Sequence, residues 1–280
     1  MPAKFFINEK NIKFNESQAF NEELIGNLFK EPGSTYLFLT HLKDDGNSIG
    51  LYYKYEGREN TYRRITGGPK IDFYENYVYL SILTNRVETL KKVNERAKLF
   101  SKCISGTEIY GGLSISRDKK LAYGITKIGN ISVIEIITNN NLNDIKYCLK
   151  SNINNVNEEM INVIPNKYSS DSYLKKSWIS YGNKDYEFNS SSRNEGFYVN
   201  FSAKLLENYI DKVLITGNFY ASPPMEPITS ILALEGTPVN EVYFYGIKAR
   251  IKKIEIEGIK TENILFSIDD LYNKLIKSIK

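Results

Sequence analysis

The sequence predicts an α+β fold in which a mixed, mostly antiparallel sheet packs against helices. Three observations lead there. Short runs of strand type occur at 35–42, 48–56, 61–66 and 70–83, and a meander follows at 107–116, 120–127 and 131–138. Segments with helical spacing are interspersed singly, so the order lacks the strict βαβ alternation of a doubly wound parallel sheet. No Gly-x-Gly-x-x-Gly follows a strand and no Walker lysine loop is present, which removes the usual dinucleotide and P-loop sites.

The elements follow in order. Asn15-Glu16-Ser17 can cap a helix whose apolar face carries Ala19, Leu24, Ile25 and Leu28, and Pro32-Gly33-Ser34 ends it. Lys43-Asp44-Asp45-Gly46-Asn47 has the residues of a hairpin turn joining strands 35–42 and 48–56. A helix over 86–103 places Val87, Leu90, Val93, Ala97 and Phe100 at helical intervals, and another is expected over 141–150. Residues 151–194 are rich in Asn, Ser, Lys and Tyr. They suggest a helix at 155–163 and then a long connection containing Trp178. Strands at 196–203 and 208–218, a helix at 225–234, a β-rich stretch at 241–257 and a helix at 268–279 complete a second α+β unit. The domain reading is 1–165, a linker at 166–194, and 195–280.

Composition narrows the function classes. The 280 residues are 41% hydrophobic and 25% charged, as in a globular protein with a real core. No apolar run approaches the roughly 20 residues needed to cross a bilayer, and the first residues do not form a secretion signal, so no membrane role and a cytoplasmic location are expected. The 37 basic and 33 acidic residues are spread along the chain, which argues against nucleic acid as a partner. Cys103, Cys148 and the single His41 cannot supply a structural zinc site, so no metal ligands are assigned. A reducing compartment disfavours a disulfide between the two cysteines. With one histidine and no Gly-x-Ser-x-Gly, a serine hydrolase triad is excluded as a working reading.

The most informative segment is Arg63-Arg64-Ile65-Thr66-Gly67-Gly68-Pro69-Lys70-Ile71-Asp72, lying between two strand-like runs. Guanidinium groups offer planar, multi-donor contacts to phosphate or carboxylate oxygens. Paired glycines allow a sharp turn that presents bare N–H groups to an anion. The same run also suits a strand-connecting turn with surface arginines.

This run resembles the Arg-Arg-x-Ser/Thr-Gly-Gly signature of the lipoate–protein ligase family, within the biotin/lipoate ligase superfamily. Other landmarks follow in family order. Phe20 to Ile25 looks like the first helix, and Glu75-Asn76-Tyr77-Val78-Tyr79-Leu80-Ser81-Ile82 like the strand after the loop. Asp118-Lys119-Lys120-Leu121-Ala122-Tyr123-Gly124-Ile125 resembles the turn that carries the family's catalytic lysine, and Val213 to Tyr220 its C-terminal accessory domain. The chain departs from the family at Pro69, where a third glycine is usual, and at Phe73-Tyr74, where a His-Asp pair is usual. Tyr123 is an extra residue before Gly124, and Asn218 replaces an acid.

The resemblance implies a class II biotinyl/lipoyl synthetase-like fold with a small α+β C-terminal domain. It also implies a two-step acyl transfer. Lipoate or a related small-molecule acid would be activated by ATP with Mg2+ as an acyl-adenylate, then passed to a lysine on a lipoyl-carrier domain protein. Lys120 is the implied catalytic cation, and Arg63, Arg64, Thr66, Gly67 and Gly68 are the implied substrate- and nucleotide-binding residues. The acyl chain would lie along Leu80, Ile82, Ile109 and Leu113, residues that serve equally well as core. A non-catalytic lipoyl- or carrier-binding member of the fold, and an octanoyltransferase, are the alternatives.

Overall fold

A computed structural model of the chain describes residues 3–115, 119–153, 155–162, 171–175 and 185–279. Its centre is a seven-stranded mixed sheet. In chain order the first elements are β1 (Ala3–Asn8), α1 (Phe14–Leu28), β2 (Thr35–His41), β3 (Gly46–Ile49), β4 (Thr61–Arg63), β5 (Ile71–Phe73) and β6 (Val78–Asn85). Then come α2 (Leu90–Ser105), β7 (Leu113–Ile115), β8 (Lys120–Ile128), β9 (Ile131–Thr138), α3 (Leu142–Asn152) and β10 (Val156–Ile161). The strand order is β10-β1-β2-β6-β9-β8-β7. The pairs from β2 to β7 are antiparallel, and β1 runs parallel to both β2 and β10.

Strand alternation gives the sheet two apolar faces. Phe38, Tyr79, Leu83, Val133 and Ile137 meet Phe14, Leu24, Ile25 and Leu28 of α1. Leu37, Leu80, Ile82, Ile134 and Ile136 meet Val93, Ala97 and Phe100 of α2 and Ile145 and Leu149 of α3. Both faces are covered, so every residue of β6 and β9 is buried.

The remaining elements are β11 (Phe188–Asn194), β12 (Phe197–Leu206), β13 (Tyr209–Gly217), β14 (Tyr220–Ser222), α4 (Glu226–Leu232), α5 (Glu241–Ile251), β15 (Glu255–Glu257) and α6 (Thr261–Ser278). β11-β12-β13 form an antiparallel sheet, and β14 pairs with β15. This ribbon is tied to the large sheet by Lys127–Glu255 at 2.8 Å and by Thr126 Oγ1 donating to the Ala221 carbonyl at 3.0 Å.

Several expectations change. β2 and β3 do not form a hairpin: β3 joins β4 and β5 in a separate small sheet. The run 70–83 is interrupted at Tyr74–Tyr77, where Asn76 takes φ 69°, so it becomes β5 and β6. The first helix starts at Phe14, and Glu16 caps it from inside by accepting the Lys13 N–H at 2.6 Å. The segment expected as a helix at 155–163 forms β10, because the open edge of β1 offers backbone partners that local propensity does not anticipate. Its exposed Glu158 and Glu159 suit an outermost strand. The stretch 241–257 is mostly helix: Asn240 caps α5, and Phe244, Ile247 and Ile251 recur at helical spacing within an aromatic, β-branched composition. The last helix starts earlier than expected, at Thr261. Residues 188–194, read as linker, are a strand, while Trp178 and Asp118 lie outside the described residues.

Cys103 and Cys148 form a disulfide between α2 and α3, contrary to the expectation of free thiols. Nothing in the local sequence sets the two cysteines side by side. The fold brings two helices over the same sheet face with a Cα–Cα separation of 5.8 Å. The bridge closes a loop spanning 45 residues. Cys103→Ser is therefore expected to lower the unfolding free energy by about 2–4 kcal/mol. Urea denaturation with and without reductant checks this: reductant should reproduce the loss in the wild type and leave the variant unchanged. No described helix is long and apolar enough to cross a membrane.

Candidate functional site

The glycine run sits where β4 ends, packed against β8 and the start of β14. Its arginines point inward. Arg63 is 1% exposed, and its Nη1 donates to the carbonyls of Gly50 (3.1 Å), Leu51 (2.7 Å) and Tyr53 (2.7 Å). Arg64 is equally buried. Its Nη1 donates to Ser48 Oγ at 2.7 Å, its Nη2 to the Pro69 carbonyl at 2.9 Å, and its Nε to Thr66 Oγ1 at 3.3 Å. Burial pushes the Arg64 pKa down, while the charge of Glu135 pulls it back up. The guanidiniums that the sequence offered to an anion thus bind internal acceptors, carbonyls of the segment after β3 for Arg63, and Ser48, Thr66 and the Pro69 carbonyl for Arg64.

Thr66 links this loop to a polar centre that the sequence argument missed. Its hydroxyl donates to Glu135, which also accepts from Gln18 Nε2 at 2.6 Å and Tyr79 OH at 2.5 Å. Glu135 is 1% exposed in the middle of β9, cross-strand from Gly124 and Ser81. Burial, then the charge of Glu135, pushes the Tyr79 pKa well up, so the phenol keeps its proton and donates. The signal was present in the sequence as one acid inside Ile131-Ser132-Val133-Ile134-Glu135-Ile136-Ile137. A charge in a strand buried on both faces needs partners.

The glycines are required by close approach. A Cβ on Gly67 would lie 2.2 Å from the Phe219 carbonyl oxygen, and one on Gly124 would lie 2.4 Å from both the Gly67 oxygen and Thr66 Oγ1. The C-terminal residues that press on the loop are aromatic. Phe219 stacks on Tyr52 with ring centroids 4.3 Å apart, and Tyr220 stacks on Tyr123 at 5.7 Å. Tyr123, the extra residue of the lysine turn, is thereby a platform for the C-terminal ribbon. Asn218 accepts the Tyr198 N–H at 2.6 Å and donates to the Gly196 carbonyl at 2.7 Å, a backbone clasp that an acid could not complete. Phe73 is core, stacked on Phe14 at 5.3 Å, and Tyr74 is exposed.

Lys120 is placed differently from the arginines. It opens β8 with its N–H on Asn139 Oδ1 at 2.7 Å. Its side chain lines a groove of about 220 Å³ with Tyr53, Lys70, Ile71, Asp72, Leu113 and Ile115. Lys70 pairs with Glu56 at 2.7 Å, whereas Lys120 makes no side-chain hydrogen bond or ion pair among the described residues. The groove joins Lys120 to the end of the glycine run through Lys70 and Ile71. It has apolar walls, the carboxylate of Asp72, the paired Lys70 and one ammonium group, Lys120, with no described side-chain partner to meet an anionic head on an apolar body. Of the expected acyl-chain residues, Leu113 lines this groove, while Leu80 and Ile82 belong to the opposite face under α2. No group of three or more His, Cys, Asp or Glu side chains suited to a metal ion occurs among the described residues.

Known structures bear on this arrangement. LipL1 of P. falciparum, solved in complex with lipoate, aligns with TM-score 0.64 at 12% identity, covering 98% of this chain and 99% of that one. Lipoate-protein ligase A bound with ATP aligns with TM-score 0.44 at 10% identity over 66% of this chain and 97% of that one. A bipartite lipoate protein ligase of T. acidophilum, studied with its E2 lipoyl domain, aligns with TM-score 0.42 at 10% identity, over 66% and 95%. No protein-family model matches the chain, and no curated protein matches it. The chain therefore has the lipoate–protein ligase fold across nearly its whole length, as the sequence resemblance implied.

Proposed function

We propose that this chain is a lipoate–protein ligase-like acyltransferase whose reacting centre is the Lys120 groove. The observation that supports it most is the coincidence of two things: a fold shared with LipL1 over 98% of the chain, and an ammonium group at Lys120 held in a groove contiguous with the glycine run. In the first step a carboxylate oxygen of lipoate or a similar acid attacks the α-phosphorus of ATP. The bond to the leaving phosphate breaks, and pyrophosphate departs. In the second step a lysine amine of a lipoyl-carrier domain attacks the acyl carbonyl, an amide forms, and AMP leaves with the bonding pair. Lys120 supplies positive charge where negative charge grows in both steps. Lys70 is the second cation of the groove. Mg2+ arriving on the nucleotide phosphates needs only one or two protein carboxylates, and Asp72 stands in the same groove.

A second reading is favoured by one specific observation. Arg63 and Arg64 are committed to internal acceptors, so the nucleotide would meet lysines in place of forked guanidiniums. A chain that holds an acyl group or a lipoyl carrier without forming adenylate fits that geometry.

The test incubates the protein with lipoate and MgATP and looks for lipoyl-adenylate and pyrophosphate by mass spectrometry. Adenylate formed by the wild type and reduced about 100-fold or more in Lys120→Ala, with unfolding unchanged, supports the ligase. Lipoate binding without adenylate supports the second reading. Adenylate formed equally well by Lys120→Ala removes Lys120 from the reaction.

A further inference from the structure

A second cavity, of about 370 Å³, lies at the far end of the large sheet from Lys120. Its floor includes Thr35 and Thr84, which face each other across β2 and β6 with hydroxyls 3.4 Å apart. Lys120 stands by the opposite end of β6: Thr138, the cross-strand partner of Val78, donates its hydroxyl to the Lys120 carbonyl at 2.8 Å. Thr84 lies six residue steps along the strand from Val78, so these two ends of β6 are about 20 Å apart.

The lining is mixed, with an apolar wall on one side and the two threonines, Asn152, Asn155 and two arginines on the other. Leu99 and Phe100 of α2 and Ile153 after α3 form the wall. At this end the sheet contributes small residues, Ala3, Thr35 and Thr84, to the cavity lining. Of the two arginines present, Arg96 is neutralised: Nη2 meets Glu88 at 2.8 Å and Ser132 at 2.9 Å. The exposed Arg86 makes no side-chain hydrogen bond or ion pair among the described residues. Among the described residues the site therefore carries one positive charge without a side-chain partner, beside the apolar wall.

Its two helical walls are also fixed in advance. Cys103, one turn beyond Leu99, is bonded to Cys148, one turn before Asn152, and Asn152 Nδ2 donates to the Cys148 carbonyl at 2.7 Å. A preformed slot with an apolar side, neutral polar groups and one arginine that has no described partner can orient a small amphipathic ligand.

We propose that this cavity binds a small amphipathic monocarboxylate of medium chain length, with the carboxylate on Arg86 and the hydrocarbon against Leu99, Phe100 and Ile153. This site is independent of the acyl-transfer reading, which concerns the Lys120 groove. The probe is octanoate, titrated into the full-length chain and followed by calorimetry and by the methyl NMR signals of Ile82 and Ile153. Saturable shifts of both methyl groups are expected. Arg86→Glu should weaken binding about tenfold or more by removing the charge-assisted contact. Leu99→Trp, at an exposed rim position, should abolish it by filling the slot, and Lys120→Ala should leave these shifts intact. Absence of shifts at Ile82 and Ile153 under saturating octanoate overturns the proposal. So does an unchanged affinity in Arg86→Glu, or loss of the shifts in Lys120→Ala with no effect of the other two variants.

Discussion

Glu135→Ala is expected to lower the free energy of unfolding by about 3–5 kcal/mol, the range for breaking a buried charged network by removing one partner. The carboxylate is nearly inaccessible and accepts three donors at once, from Gln18, Tyr79 and Thr66. Alanine leaves the Thr66 and Tyr79 hydroxyls without their acceptor in a sheet face sealed by α1 and the Gln18 amide with Tyr79 OH at 3.1 Å in its place, and each orphaned group costs about 1–3 kcal/mol. It also removes the carboxylate nearest to the buried Arg64 charge. Glu135→Gln keeps the shape but turns one acceptor into a donor facing other donors, so an intermediate loss is expected. Urea denaturation with an unchanged m-value checks both. A loss under about 1 kcal/mol for alanine would mean that water or a shifted side chain replaces the carboxylate. The effect reaches the candidate site through Thr66, whose hydroxyl donates to Glu135 while accepting from Arg64. Without the carboxylate that hydroxyl keeps only the contact from Arg64, and the glycine run loses this tie to β9.

The strands and helices that follow a clear period were legible in the sequence. β2, β8, β9, α2 and α3 fall close to their expected positions because each is governed by apolar spacing along a single segment. What was not legible depends on partners distant in the chain. β10 is a strand only because β1 offers an open parallel edge, and β3 leaves β2 because β4 and β5 compete for it. α5 was hidden by its own composition, since aromatic and β-branched residues suggest a strand while the spacing of Phe244, Ile247 and Ile251 is helical. At the candidate site the sequence located the loop but not the direction of its side chains. A paired arginine reads the same whether it faces solvent or the core. The deciding factor is that Ser48 and the carbonyls of Gly50, Leu51, Tyr53 and Pro69 converge on the guanidiniums, and those acceptors come from loop geometry with no sequence pattern. The disulfide was missed for a related reason: nothing local sets α2 beside α3.

The arginines and the lysine can be told apart by which property each substitution changes. Arg64→Ala is expected to cost about 3–5 kcal/mol of stability, because Ser48, two loop carbonyls and Glu135 lose a fully buried cation that no water can replace. Arg64→Lys should recover only part of this, since one ammonium cannot span acceptors that the planar guanidinium reaches in three directions. Lys120→Ala, by contrast, removes a partly exposed group with no described side-chain partner, and its effect on stability should stay within about 0.5 kcal/mol. Thermal and urea unfolding of the three variants, set beside adenylate formation, gives the discrimination. A destabilised Arg64→Lys that still forms adenylate at low temperature marks the arginine as the frame of the loop and leaves the chemistry to Lys120. An Arg64→Lys as stable as the wild type but unable to bind nucleotide would show that the guanidinium turns outward in solution. The Arg-Arg-Ile-Thr-Gly-Gly run would then be the anion cradle that its sequence first suggested.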